Sequence, residues 1–201
     1  MHASSCERPL PSSWTITGAT APPVHLCSST PTATSRWLQD SSVKVLSRMI
    51  YWFTGQPGHG KTTLAKALIT HLQGQGIEPF HVDGDDLRAL TANADYSRAG
   101  REANIRRAQT IAHYLHNQDR VVVVSLVAPY RDLREEFKAA TGLTEIYVHT
   151  SETRGREAKH ASDYEPPFER YVDIDTTGAS PTESIATLLA KTIASNNSSS
   201  P

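Results

Sequence analysis

The clearest chemistry in this chain lies in Gly55-Gln56-Pro57-Gly58-His59-Gly60-Lys61-Thr62, followed by Thr63. The run fits G-x-x-x-x-G-K-[ST], a pattern common enough that its surroundings must decide its meaning. Here an apolar strand leads directly into it and an amphipathic helix leads out. Glycines let the backbone curl so that its N–H groups point at phosphate oxygens, and the helix N-terminus adds partial positive charge. Residues 55–63 therefore read as a cradle for the phosphates of ATP. Lys61 is positioned to reach the β- and γ-phosphates, and the Thr62 hydroxyl to join a Mg²⁺ shell. The plain alternative is a glycine turn that merely joins strand to helix; Lys61, Thr62 and the flanking elements weigh against it. His59 reads as the occupant of a variable loop position.

A second group is Asp83-Gly84-Asp85-Asp86, at the end of another short apolar run. In open α/β sheets, ligands bind beyond the carboxyl ends of strands, which brings these carboxylates near the phosphate loop. A carboxylate there orients and deprotonates an acceptor hydroxyl, or holds the magnesium water shell. The competing role is a helix cap. Asp83 is assigned the functional role and Asp86 the cap, with Asp85 open between them. Next comes an arginine-rich stretch, Arg98, Arg101, Arg106 and Arg107, in which Arg101 and Asn104 share a helix face. A solvated charged face is the ordinary account of such a run and suffices for Arg106 and Arg107. Pro129-Tyr130-Arg131 and Arg134 follow a further strand, where guanidinium groups can meet a phosphate or sulfate. Convergence of Arg101, Arg131 and Arg134 on one mouth would favour an anionic acceptor.

Alternating β and α patterns are needed to position these groups, and they are present from Met49 onward. Strands are predicted at 50–54, 79–82, 121–127, 145–148 and 171–174. Helices are predicted at 61–73, 98–116, 131–140 and 181–194, with Leu64, Leu68 and Leu72 marking the buried stripe of the first. The Val121–Val127 run is near-continuous and β-branched, as a strand covered on both faces should be. The fold class is α/β: a central parallel sheet with helices on both faces.

The 201 residues suffice for one ordinary domain. A net charge of −1 gives no general basicity toward nucleic acid. No run approaches the ~18 apolar residues of a membrane-spanning helix, so no membrane partner is expected. Cys6 and Cys27 are the only cysteines, which argues against a disulfide scaffold and for a cytoplasmic protein, the host cytoplasm if viral. Residues 1–48 hold 21 Ser, Thr or Pro and only Glu7 and Asp40 as acids. They read as a disordered leader or as an over-extended start before Met49. The domain is set at 49–194, with 195–201 as a disordered tail.

Together, Trp52-Phe53-Thr54-Gly55 with the phosphate loop, Asp83-Gly84-Asp85, Arg101-Glu102-Ala103-Asn104-Ile105-Arg106-Arg107, and Pro129-Tyr130-Arg131 with Arg134 resemble the adenylylsulfate kinases in order and spacing. The resemblance implies a P-loop kinase fold and transfer of the γ-phosphoryl of ATP to a substrate hydroxyl. It implies catalytic roles for Lys61 and Asp83. Substrate contacts are implied from Asp85, Arg88, Tyr96, Arg101, Asn104 and Arg131, with Tyr96 packing on the substrate base. Three departures stand out. Ala128 replaces the family's serine before Pro-Tyr-Arg, so no phosphoserine can form. The lid stretch between Thr150 and Glu169 is short and lacks the family's phenylalanine. Gly100 and Ala103 replace an acidic pair.

A short lid and a Gly-Gln-Pro-Gly loop are also similar to bacteriophage kinases acting on 5-hydroxymethyluracil in DNA. The primary expectation is accordingly an ATP-dependent, Mg²⁺-dependent kinase whose acceptor is that modified DNA base. The alternative is adenylylsulfate or a related nucleotide intermediate. Outside the kinases stand a regulatory nucleotide switch and a degenerate binding module. No guanine-reading Asn/Thr-Lys-x-Asp sequence supports the former, and intact Lys61, Thr62 and Asp83 oppose the latter.

Overall fold

The computed structural model describes residues 49–197. The readings placed on residues 1–48 and 198–201 lie outside it. Five strands form one all-parallel sheet: β1 (Ile50–Thr54), β2 (Phe80–Asp83), β3 (Val122–Ser125), β4 (Thr144–His149) and β5 (Tyr171–Asp175). They lie side by side in the order β2-β3-β1-β4-β5. Helices α1 (Lys61–Gly74), α2 (Gly84–Leu90), α3 (Arg98–Asn117), α4 (Arg131–Thr141) and α5 (Pro181–Asn197) connect or close the strands. Parallel pairing requires crossovers, and these helices supply them on both faces.

Every residue of β1 and β3 is buried, the pattern of central strands covered on both sides. Side-chain alternation sends Tyr51, Phe53 and Val123 toward Leu64, Leu68 and Leu72 of α1 and Leu188 of α5. Ile50, Trp52, Val122 and Val124 turn the other way, onto Leu87 of α2, Ile105 and Ala108 of α3 and Phe137 of α4. The expected α/β class and its two-sided helical cover are present.

Three local expectations need correction. β3 ends at Ser125 rather than Val127, because the chain leaves the sheet after the Leu126 N–H bonds Phe53 O at 3.2 Å. Two residues further on, Ala128 adopts a left-handed backbone with φ 41°. The seven-residue α2 begins at Gly84, ahead of the cap expected at Asp86, and was given no range because it is too short to display a periodic stripe. α5 continues to Asn197, so Ser195–Asn197 extend a helix where a tail was expected. Among the described residues no helix is long and apolar enough to cross a membrane.

Candidate active site

The phosphate loop joins β1 to α1 at the carboxyl edge of the sheet. Gly55 cannot be replaced by a larger residue: a Cβ there would stand 2.1 Å from the backbone oxygen of Val148 on β4. The Lys61 side chain is buried and its ammonium donates to Gln56 O at 2.9 Å. Burial pushes its pKa down to about 8, with Asp85 and Asp83 opposing that shift. A partly desolvated ammonium inside a glycine cradle is a strong phosphate ligand, since its attraction for an anion is weakly screened.

Asp83, the last residue of β2, stands beside the start of α1. Its Oδ2 accepts from Thr62 Oγ1 at 3.0 Å and from Ser125 Oγ at 2.7 Å, and its Oδ1 accepts from the Asp85 N–H at 2.9 Å. Burial alone would raise the Asp83 pKa. The hydrogen bonds from Ser125, Asp85 and Thr62 outweigh it and hold the carboxyl below its usual range. Asp83 is thus ionised at neutral pH, in the state that can accept a proton from a hydroxyl. Asp83 is also the N-cap of α2, a role the sequence reading gave to Asp86. Asp85 and Asp86 instead occupy the first turn, where acidic groups favour the helix dipole.

The fit to ATP and Mg²⁺ can be judged from the donor set. The Thr62 hydroxyl spends its proton on Asp83 and leaves oxygen lone pairs facing the cradle. No group of three His, Cys, Asp or Glu capable of holding a metal occurs among the described residues. One hydroxyl, a nearby carboxylate and no protein cage suit a magnesium ion that completes its shell with phosphate oxygens and water. Thr62 would hold the ion, which supplies charge neutralisation on the phosphates when bound.

A single cavity of about 1290 Å³ contains both halves of the proposed chemistry. Pro57, Gly58, Gly60, Lys61, Thr62 and Thr63 line one side; Asp83, Asp85, Arg88, Tyr96, Arg101 and Asn104 line the other. Tyr96 is 63% exposed and carries the Arg88 guanidinium 4.4 Å from its ring centroid and that of Arg101 at 5.9 Å. Arg88 also clasps the carbonyls of Asn93 and Asp95, while Arg101 donates to Tyr96 O. Asn104 donates to Gly84 O at 3.1 Å and leaves its Oδ1 buried without a protein hydrogen bond at the cavity wall. Gly100 admits the loop carrying Tyr96, since a Cβ there would lie 2.3 Å from Asp95 O. That contact explains why a larger acidic residue is excluded.

Two arginines do not behave as expected. Arg134 does not reach the mouth. It is 2% exposed, pairs with Glu145 at 2.7 Å, and donates to the carbonyls of Ala128 and Glu165. Glu145 is fully buried and also pairs with Lys138, so the sheet interior claims Arg134 to neutralise it. Arg131 begins α4 and donates from Nε to Pro166 O at 2.8 Å; it does not line the cavity.

The lid stretch that the sequence marks as short is docked against the phosphate loop. Gln56 Nε2 donates to Ala161 O, and its Oε1 accepts from the Ala161 N–H, each at 2.9 Å. His160 donates from Nε2 to Pro57 O at 3.0 Å and meets His59 edge-on at 5.3 Å. His59 itself donates from Nδ1 to Val148 O at 3.3 Å, and burial is the main force lowering its pKa. Arg156, Ala158, Lys159 and His160 therefore wall the cavity. Sequence reading missed these residues. The signal available was two basic groups, Arg156 and Lys159, in a stretch between two strands.

A sequence model of the family described as adenylylsulphate kinase matches residues 47–165. An adenylyl-sulfate kinase of Chloroflexus aurantiacus is 44% identical over 95 residues, covering 47% of this chain and 51% of that protein. The chain thus spans about half the length of that relative. One from Burkholderia ambifaria is 30% identical over 164 residues, covering 71% of this chain and 91% of that protein. Among solved structures, the Mycobacterium tuberculosis APS kinase in complex with AMPPNP and APS superposes with a TM-score of 0.60 at 26% identity, covering 72% of this chain and 95% of the other. A gluconokinase from Sinorhizobium meliloti, at 18% identity and a TM-score of 0.53, shares the fold alone. On the family match and these relatives, the chain belongs to the adenylylsulphate kinase family of ATP-dependent kinases.

Proposed function

We propose that this protein transfers the γ-phosphoryl group of ATP directly to a hydroxyl of adenylylsulfate. The observation that carries the reading is the continuous cavity, with Lys61 and Thr62 on one wall and Asp83, Tyr96, Arg101 and Asn104 on the other. Donor and acceptor share one cavity, as in-line transfer needs. The phosphate-loop backbone and Lys61 bind the phosphates and stabilise the charge that develops between the γ-phosphorus and the departing β-phosphate. Asp83, ionised and facing the cavity, orients the acceptor hydroxyl and takes its proton. Tyr96 offers a flat apolar face to the acceptor base. Arg101 supplies positive charge for its phosphosulfate, and Asn104 lines the wall beside it. With Ala128 in place of serine, no hydroxyl exists at that position to carry phosphate, so the group passes from ATP to acceptor in one step.

The acceptor expected first, a hydroxymethylated base in DNA, rested on the short lid stretch and the Gly-Gln-Pro-Gly loop. The named relatives favour adenylylsulfate instead, and the short stretch 154–161 packs against the phosphate loop rather than away from it. The test offers the protein labelled ATP and Mg²⁺ with adenylylsulfate, with hydroxymethyluracil DNA, and with the free hydroxymethyl nucleotide. Label should pass to adenylylsulfate. Label on the DNA, with none on adenylylsulfate, would restore the first expectation and sink this one.

A further inference from the structure

Asp83 must be held still as well as ionised, and the sheet provides the means. Residues two apart on a strand share a face, so His81 and Asp83 project together from β2. In the parallel register, Ser125 of β3 is the direct partner of Asp83, and Val123 that of His81. The three side chains meet on the α1 side of the sheet. His81 Nε2 lies 2.9 Å from Ser125 Oγ, which lies 2.7 Å from Asp83 Oδ2. An ionised carboxylate only accepts hydrogen bonds, so the single Ser125 proton goes to Asp83. The Ser125 oxygen then accepts the Nε2–H of His81. That sets the order of donation: imidazole to hydroxyl to carboxylate. Ser125 is 2% exposed, so no bulk water competes for its hydroxyl, and the imidazole alone fixes the rotor from behind. His81 is itself half-buried and lines the same cavity wall as Asp83. It belongs to none of the motifs shared with the family.

We propose that His81 is a positioning residue for Asp83, acting through Ser125 to keep the carboxylate aimed at the acceptor hydroxyl. This rests on the reading of Asp83 as the group that faces that hydroxyl. The competing account is a histidine that satisfies a buried serine and has no bearing on turnover.

The test uses the full chain and the variants His81→Ala, His81→Gln, Ser125→Ala and the double variant His81→Ala/Ser125→Ala. In steady-state transfer from ATP to adenylylsulfate, His81→Ala and Ser125→Ala should each lower kcat roughly tenfold, the scale of one hydrogen bond to a charged group. KM for ATP should not move. The double variant should be no slower than either single one, because both break the same chain. His81→Gln should recover most of kcat, since its amide N–H can donate to the same oxygen. Wild-type kcat in His81→Ala, or losses that multiply in the double variant, would overturn the proposal. Asp83→Asn separates the two readings: if it stays active, the role of Asp83 falls and this inference with it. If it is inactive while His81→Ala runs at full speed, only the inference falls. A second readout needs no acceptor. The His81 Nε2–H proton, followed by NMR of protein labelled with ¹⁵N-histidine, should exchange slowly in the wild type and much faster in Ser125→Ala. Unchanged exchange would overturn the chain, independently of whether adenylylsulfate is the substrate.

Discussion

The two walls of the cavity are built on different principles. The phosphate wall rests chiefly on one consecutive run: Pro57 through Thr63 supply backbone curvature and one lysine, with residues 156–160 docked beside them. The acceptor wall is assembled from β2, α2, the loop before α3, α3 itself and the residues after β3, brought together only by the fold. A local device depends on conformation and charge within a few residues. A composite one depends on buried partners far away in sequence, such as the Arg134–Glu145 pair beneath Ala128 and Glu165. Substitutions at the two walls should therefore fail in different ways: chemistry without unfolding at the first, and packing together with chemistry at the second.

The largest effect should come from Arg134→Met. It leaves Glu145 buried with one partner fewer and frees two carbonyls, so a loss of about 3–5 kcal/mol in folding stability is expected from chemical denaturation. A loss below about 1 kcal/mol would show that the pair is not what supports the acceptor wall. Lys61→Ala should lower phosphoryl transfer by roughly 10²–10³, about 3–4 kcal/mol of transition-state stabilisation, while the protein stays folded. Retention of a tenth of the rate would contradict a lysine that serves as phosphate ligand.

A pH titration sharpens the contrast. Burial holds Lys61 at about 8, against 10.5 for the free side chain. Below pH 8 the ammonium is charged and grips phosphate; above it the charge is lost from the empty site. Affinity for a non-hydrolysable ATP analogue should weaken by about tenfold per unit beyond that point, as one lost proton requires. Stability of the ligand-free protein should move the opposite way. Between pH 8 and 10.5 the unfolded chain retains a lysine proton that the folded chain has lost, so Lys61 contributes rising stability with pH. The smallest effect belongs to Gln56→Ala, which removes both hydrogen bonds to Ala161. KM for ATP should rise by roughly 10–30-fold at most, the scale of two hydrogen bonds at ~1 kcal/mol each.

What the sequence disclosed follows the same division. The phosphate loop, the β-branched central strand and the amphipathic α1 were legible because each is specified by neighbours in the chain. Asp83 was also legible, as a carboxylate at a strand's end, although its second task as the α2 cap was not. Arg134 was misplaced because an arginine after a strand looks like a ligand until a buried Glu145, eleven residues away, claims it. The docking of residues 154–161 was not foreseen because it depends on Gln56 and His160, polar side chains with no periodic signature. Ser125 and His81 escaped notice for a related reason: their juxtaposition with Asp83 is a matter of strand register, and register is not written in either strand alone.

Central to the proposed chemistry is that both walls serve one direct transfer. The most direct test follows ADP release and product mass together, with ATP, Mg²⁺ and adenylylsulfate at saturating concentration. One ADP should appear for each adenylylsulfate that gains a single phosphate. Little ADP should form without acceptor, and no phosphate should remain on the protein. ADP release at the same rate with and without adenylylsulfate, and no product of increased mass, would contradict it.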